Sequence, residues 1–141
     1  MSSGSGNKIV QDETQAEQDK GKTILLAEDD ISNADMLRLL LQSETSYHLI
    51  QFTDEEEIFQ RIDDIKARSP DLFLFDYRLA NMTALDLYDQ LHSMEELQHV
   101  PALVITASLV NEEEFVRRNI PIIQKPFDVD ELLHAINQII A

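Results

Sequence analysis

Residues 70–76 read Pro70-Asp71-Leu72-Phe73-Leu74-Phe75-Asp76: a proline, a near-continuous apolar run, then a carboxylate. A strand with one wet face alternates apolar and polar residues, whereas a strand buried on both faces is apolar almost throughout. This run therefore belongs inside a sheet covered on both sides. The same device recurs outward from it. Upstream, TILLA (Thr23–Ala27) is a short apolar strand that runs into Glu28, Asp29 and Asp30, and YHLIQF (residues 47–52) is a second. Downstream, PALVIT ends at Thr106 and PIIQK ends at Lys125.

Amphipathic stretches separate these strands. Residues 31–42 carry Ile31, Ala34, Leu37, Leu40 and Leu41 at helical spacing, with Asp30 as the cap. Thr53 and Glu56 form a capping-box pattern ahead of Ile58, Phe59, Ile62 and Ile65. Residues 84–94 carry Leu85, Tyr88 and Leu91. Asn111 caps a short acidic helix, EEEFVRRN, and Asp128 with Glu131 caps a last helix bearing Leu132, Leu133, Ile136 and Ile139. Strands of this kind alternating with helices predict an α/β fold, an open doubly wound parallel sheet built by right-handed crossovers. In such sheets ligands bind in the crevice at the carboxyl ends of the strands.

Composition narrows the function. The chain has 141 residues, and 11 Lys and Arg against 27 Asp and Glu give a net charge of −16, which argues against nucleic acid or an anionic membrane as a direct partner. Without cysteine there is no disulfide framework, no zinc-thiolate site and no Cys nucleophile. No apolar run approaches the roughly 20 residues of a membrane span, and the polar start has no apolar leader core. The expectation is a cytoplasmic domain over residues 22–141. Residues 1–21, which open MSSGSGN, are too polar to offset ordering entropy and are expected to be a disordered tail.

The strand ends are where the sequence becomes specific. Glu28, Asp29 and Asp30 follow the first strand, Asp76 ends the third, Thr106 the fourth, and Lys125, followed by Pro126, the fifth. Singly, each has a bland reading: a loop acid, a turn residue, a turn hydroxyl, a surface charge. Parallel strands bring them all to one edge. Clustered carboxylate oxygens suit Mg²⁺, and a hydroxyl and an ammonium beside them suit the remaining oxygens of a phosphoryl group.

At these residues the chain resembles the receiver domains of two-component response regulators, a flavodoxin-like family. ILLAEDDISNADML resembles the family's first strand and acidic pair, and PDLFLFDYRLANMTALDL its phospho-acceptor strand and loop. PALVITAS resembles the hydroxyl-bearing strand, and IIQKPF the Lys-Pro-Phe signature. The resemblance implies a (βα)5 sheet in the order 2-1-3-4-5. It implies that Asp76 accepts a phosphoryl group from a phosphohistidine on a histidine kinase or phosphotransfer protein. The chain would thus catalyse its own aspartyl phosphorylation and dephosphorylation without being a conventional enzyme. Mg²⁺ would be held by Asp29 and Asp76, by Glu28 directly or through water, and by the backbone carbonyl of Arg78. Thr106 and Lys125 would bind phosphoryl oxygens, and the Lys125–Pro126 bond would be cis. Signalling would pass to a downstream protein target, or onward in a phosphorelay.

The chain also departs from the family pattern. Ala80 and Ala84 replace the usual Pro and Gly of the loop after the acceptor, so that loop loses stiffness. The switch position three before the lysine is Ile122, not an aromatic. The segment between Thr106 and Lys125 is short, so its helix should be brief. Arg78, two residues after Asp76, either covers the phosphoryl group and slows hydrolysis or is a solvated side chain. His48, His92, His99 and His134 lie on separate elements with no metal spacing. These departures keep a rival open: a pseudo-receiver, an interaction module with little phospho-switching. Flavodoxin-like or phosphatase chemistry fits less well: Glu28-Asp29-Asp30 repels a phosphate where a flavin site needs a phosphate-binding loop, and it offers Glu28 where an Asp-x-Asp phosphatase has its nucleophile.

Overall fold

The computed structural model describes residues 21–140; the tail expected at 1–21 lies, but for Gly21, outside them. The elements run β1 (Thr23–Ala27), α1 (Ile31–Glu44), β2 (His48–Phe52), α2 (Glu55–Gln60), α3 (Ile62–Arg68), β3 (Leu72–Asp76) and α4 (Ala84–His92). After a 3₁₀ turn (Glu95–Leu97) come β4 (Ala102–Thr106), α5 (Glu112–Arg117), β5 (Ile122–Gln124) and α6 (Val129–Ile140). All strand pairings are parallel, and the order is β2-β1-β3-β4-β5, as the resemblance implied.

The pleat sorts the core into two layers, since alternate residues of a strand point to opposite faces. Leu25, Phe73, Phe75 and Val104 face Ile58 of α2, Ile65 of α3, Leu87 and Leu91 of α4 and Phe115 of α5. Ile24, Leu26, Leu72, Leu74 and Leu103 face Leu37 and Leu41 of α1 and Leu132 and Ile136 of α6. Both faces are therefore dry over β1, β3 and β4, which is why those strands read as unbroken apolar runs, whereas the edge strands β2 and β5 leave His48 and Gln124 exposed.

Local chemistry sets the boundaries. Asp30 caps α1, its carboxylate accepting the Asn33 N–H at 2.9 Å. Thr83 and Asp86 form a reciprocal capping box on α4. Asn111 caps α5, and Asp128 accepts the Glu131 N–H at 2.8 Å at the start of α6. Pro70 disfavours helical backbone at Ser69, which takes φ 51° and closes α3. Asn119, at φ 58°, closes α5, and the next N–H, of Ile120, reaches back to the Phe115 carbonyl at 2.9 Å. This compact stop lets six residues of helix fit the short segment before β5.

Three expectations are corrected. The cap of α2 is Asp54, not Thr53, because its carboxylate is the one that accepts the Glu56 N–H, at 2.9 Å. The stretch that follows is not one helix, since the backbone turns at Arg61 (φ −109°, ψ 25°) and divides it into α2 and α3. Ile31 is 64% exposed, not part of the core face; it is the first residue of α1 and stands in solvent, as Met36 and Leu39 of the same helix do.

An ion pair fastens α5 to α4. The Arg118 guanidinium donates to both Asp89 oxygens at 2.8 Å and to Glu114 at 3.0 Å. It holds the Asp89 carboxyl below the usual carboxylate range. Nearby, the Tyr77 ring packs 5.8 Å from Phe115, linking the residue after Asp76 to α5.

Candidate functional site

The strand register brings the groups singled out in the sequence to one edge. Asp76 lies opposite Ile105, and Thr106 opposite Gln124. The ladders run one residue past the strands: Glu28 N–H bonds Phe52 O at 3.1 Å, Tyr77 N–H bonds Ile105 O at 2.8 Å, and Lys125 N–H bonds Thr106 O at 2.8 Å. The backbone on which the side chains stand is therefore tied down on each side.

Lys125 is the hub. Its Nζ donates to Asp76 Oδ1 at 2.9 Å and lies 3.8 Å from Glu28 Oε1. Its peptide bond to Pro126 is cis. Burial pulls the Lys125 pKa down, but the Asp76 hydrogen bond and the charges of Asp76, Glu28 and Asp29 outweigh it, so the ammonium is raised above its ordinary value.

Glu28 carries the strain of the arrangement. It is 2% exposed; Oε2 accepts the Asp30 N–H at 3.2 Å, while Oε1 is buried without a hydrogen-bond donor. Burial pushes its carboxyl up to about 7; the Asp76 charge adds to this, while the Asp30 N–H and Lys125 oppose it. Carboxylate oxygens of Glu28, Asp29 and Asp76 lie within 4.8 Å of one another. Three hard anionic donors, one of them with a buried oxygen that lacks a hydrogen bond, fit a small divalent cation such as Mg²⁺.

Beside the acids lies a small cleft of ≈ 80 Å³ lined by Asp76, Arg78, Thr106, Ser108 and Lys125. The Thr106 hydroxyl is buried and engaged with its own loop, donating to Ser108 O and accepting from Ser108 N–H, both at 3.1 Å. Arg78 is exposed, its guanidinium 5.7 Å above the Tyr77 ring. Ile122 is half-buried in a groove of ≈ 360 Å³ that Thr106, Ser108, Phe115 and Gln124 also line.

Sequence reasoning overlooked Glu55. It is 3% exposed, and its Oε1 accepts the Asn81 N–H at 2.6 Å, reaching into the loop after Asp76. In the run Glu55-Glu56-Glu57 it reads as an ordinary acidic first turn, so nothing local separates it from its neighbours.

Comparison with known proteins fits this arrangement. Residues 24–137 match the family model described as the response regulator receiver domain. The polar-differentiation response regulator DivK of Brucella ovis is 28% identical over 118 residues, covering 82% of this chain and 93% of that protein. Chemotaxis protein CheY4 of Vibrio cholerae superposes with a TM-score of 0.72 at 20% identity, over 84% of this chain and 98% of that one. A sensor histidine kinase receiver domain from Pseudomonas aeruginosa PAO1, solved with a magnesium ion coordinated in its active-site cleft, gives 0.71 at 24% identity, over 85% and 98% of the two chains. Among the described residues no helix is long and apolar enough to cross a membrane.

Proposed function

The chain belongs to the response regulator receiver family, and on that footing we propose that Asp76 is its phosphoryl acceptor, with Glu28, Asp29, Thr106 and Lys125 as the supporting groups. The observation that carries this is the Lys125 ammonium held 2.9 Å from Asp76 at the rim of a three-carboxylate cluster.

One Asp76 oxygen attacks the phosphorus of a phosphohistidine on a histidine kinase or phosphotransfer protein. The P–N bond breaks, its electron pair stays on the imidazole nitrogen, and an acyl phosphate forms on Asp76. Little covalent work falls to the protein beyond this, so positioning and charge carry the catalysis. Lys125 hands its donor from Asp76 to a phosphoryl oxygen, and Thr106 turns its hydroxyl from Ser108 toward another. Glu28, Asp29, Asp76 and the Arg78 carbonyl would hold Mg²⁺, whose positive charge would offset that of the carboxylates and the phosphoryl group. Water attack on phosphorus later breaks the O–P bond, restoring the carboxylate and releasing phosphate. The reading includes a cytoplasmic setting, where kinase and downstream protein target are reached by diffusion.

Incubation with a small-molecule phosphodonor and Mg²⁺, read by intact mass, is expected to add one phosphoryl group. No gain, with Mg²⁺ binding absent too, would instead mark a pseudo-receiver. Arg78 lines the phosphoryl cleft, and a guanidinium that swings over the acyl phosphate would screen it from water. Arg78→Ala is expected to lose the phosphoryl group faster than wild type, by roughly a few-fold. An unchanged decay rate makes Arg78 a solvated side chain.

A further inference from the structure

The loop between Asp76 and α4 has Ala80 and Ala84 where stiffer or tighter-turning residues are usual, yet it is closely constrained. Leu79 N–H bonds Met82 O at 3.0 Å, Ala84 N–H bonds Tyr77 O at 2.7 Å, and Arg78 bridges Thr83. Asn81 stands at the tip of this closed unit. Its N–H bonds Glu55 Oε1 at 2.6 Å, 26 residues away in sequence. Glu55 is fixed at the first turn of α2, and its second oxygen, Oε2, is buried without a partner.

A buried carboxylate is costly unless it makes good hydrogen bonds, and a charged acceptor makes strong ones. We propose that Glu55 is a positioning residue: its carboxylate clamps the Asn81 amide and so fixes the acceptor loop, including the Arg78 carbonyl. The inference rests on the reading of Asp76 and its neighbours as the phosphorylation and Mg²⁺ site. An isolated contact between two loops would stabilise only the fold. This one holds the tip of the segment that begins at the acceptor, so its loss reaches the site.

The test compares wild type, Glu55→Ala and Glu55→Gln, the last keeping a carbonyl acceptor for the Asn81 N–H. In the wild-type protein, hydrogen exchange at the Asn81 amide is expected to be slow; exchange as fast as at an open loop amide overturns the clamp without any variant. In Glu55→Ala the Asn81 amide is expected to exchange about tenfold or more faster. Mg²⁺ binding by titration, and phosphorylation by the small-molecule donor, are expected to weaken by about tenfold. Glu55→Gln is expected to recover most of both. Equal Mg²⁺ affinity in wild type and Glu55→Ala overturns the proposal, as does a Gln variant no better than Ala. Failure of wild type itself to bind Mg²⁺ or gain a phosphoryl group refutes the underlying reading of the site, whereas slow exchange at Asn81 is unaffected by that outcome.

Discussion

Asp76→Asn is expected to show no mass gain with any phosphodonor, and to fold at least as stably as wild type. The amide nitrogen replaces an anionic oxygen, so the nucleophile is gone, while the shape is kept and the remaining carbonyl still accepts from Lys125. Lys125 keeps its charge partners, with Glu28 at 3.8 Å and Asp29 nearby. The like-charge repulsion that Asp76 exerts on buried Glu28 disappears. That relief is about 1 kcal/mol, or roughly 4 °C in the midpoint of a domain of this size. Intact mass and thermal denaturation of the metal-free protein at pH 8 check both halves. A midpoint well below wild type would mean that the Asp76–Lys125 attraction outweighs the repulsion among the acids.

Mg²⁺ is expected to raise the thermal midpoint at pH 8 by about 10 °C when present at about a hundredfold over its Kd. The gain should fade as pH falls through about 7, the folded pKa of Glu28. The sign follows from linkage. The folded pKa of Glu28 is raised from 4.5 to about 7, so in the metal-free protein its contribution is fully present below 4.5 and is lost as pH rises through about 7. The loss is on the order of 3 kcal/mol. Above that range Glu28 is charged and lacks a donor on Oε1, which is the form a cation takes. Below it, a proton competes with the cation. Denaturation scans from pH 5 to 9, with and without Mg²⁺, measure the effect. Glu28→Gln should flatten the pH dependence of the metal-free protein, and a Mg²⁺ gain equally large at pH 5 would refute this account.

Much of this was legible in the residues, for physical reasons. Strands such as β3 are dry on both faces over Leu72, Phe73, Leu74 and Phe75, so their composition alone marks them, and parallel pairing brings Glu28, Asp76, Thr106 and Lys125 together from distant segments. Caps such as Asp30 and Asn111 act within three residues and are visible locally. The brevity of α5 follows from chain length between two fixed strands. Other features depend on tertiary placement. The Arg61 break has no proline or glycine to announce it. Glu55 and Glu56 are chemically identical neighbours, and only the fold buries one and leaves the other in water. The Tyr77–Phe115 contact joins residues that no periodicity pairs.

The bidentate bond between Arg118 and Asp89 has a mechanical meaning. Because it spans the gap between α5 and α4, those helices travel together as one slab, and bending at that seam requires two short contacts to open at once. A displacement of the Tyr77 ring, next to the acceptor, would press on Phe115 and so on both helices together. A recognising protein would consequently meet two joined helices whose Arg118 cation is already taken up by Asp89 and Glu114, rather than a single free helix.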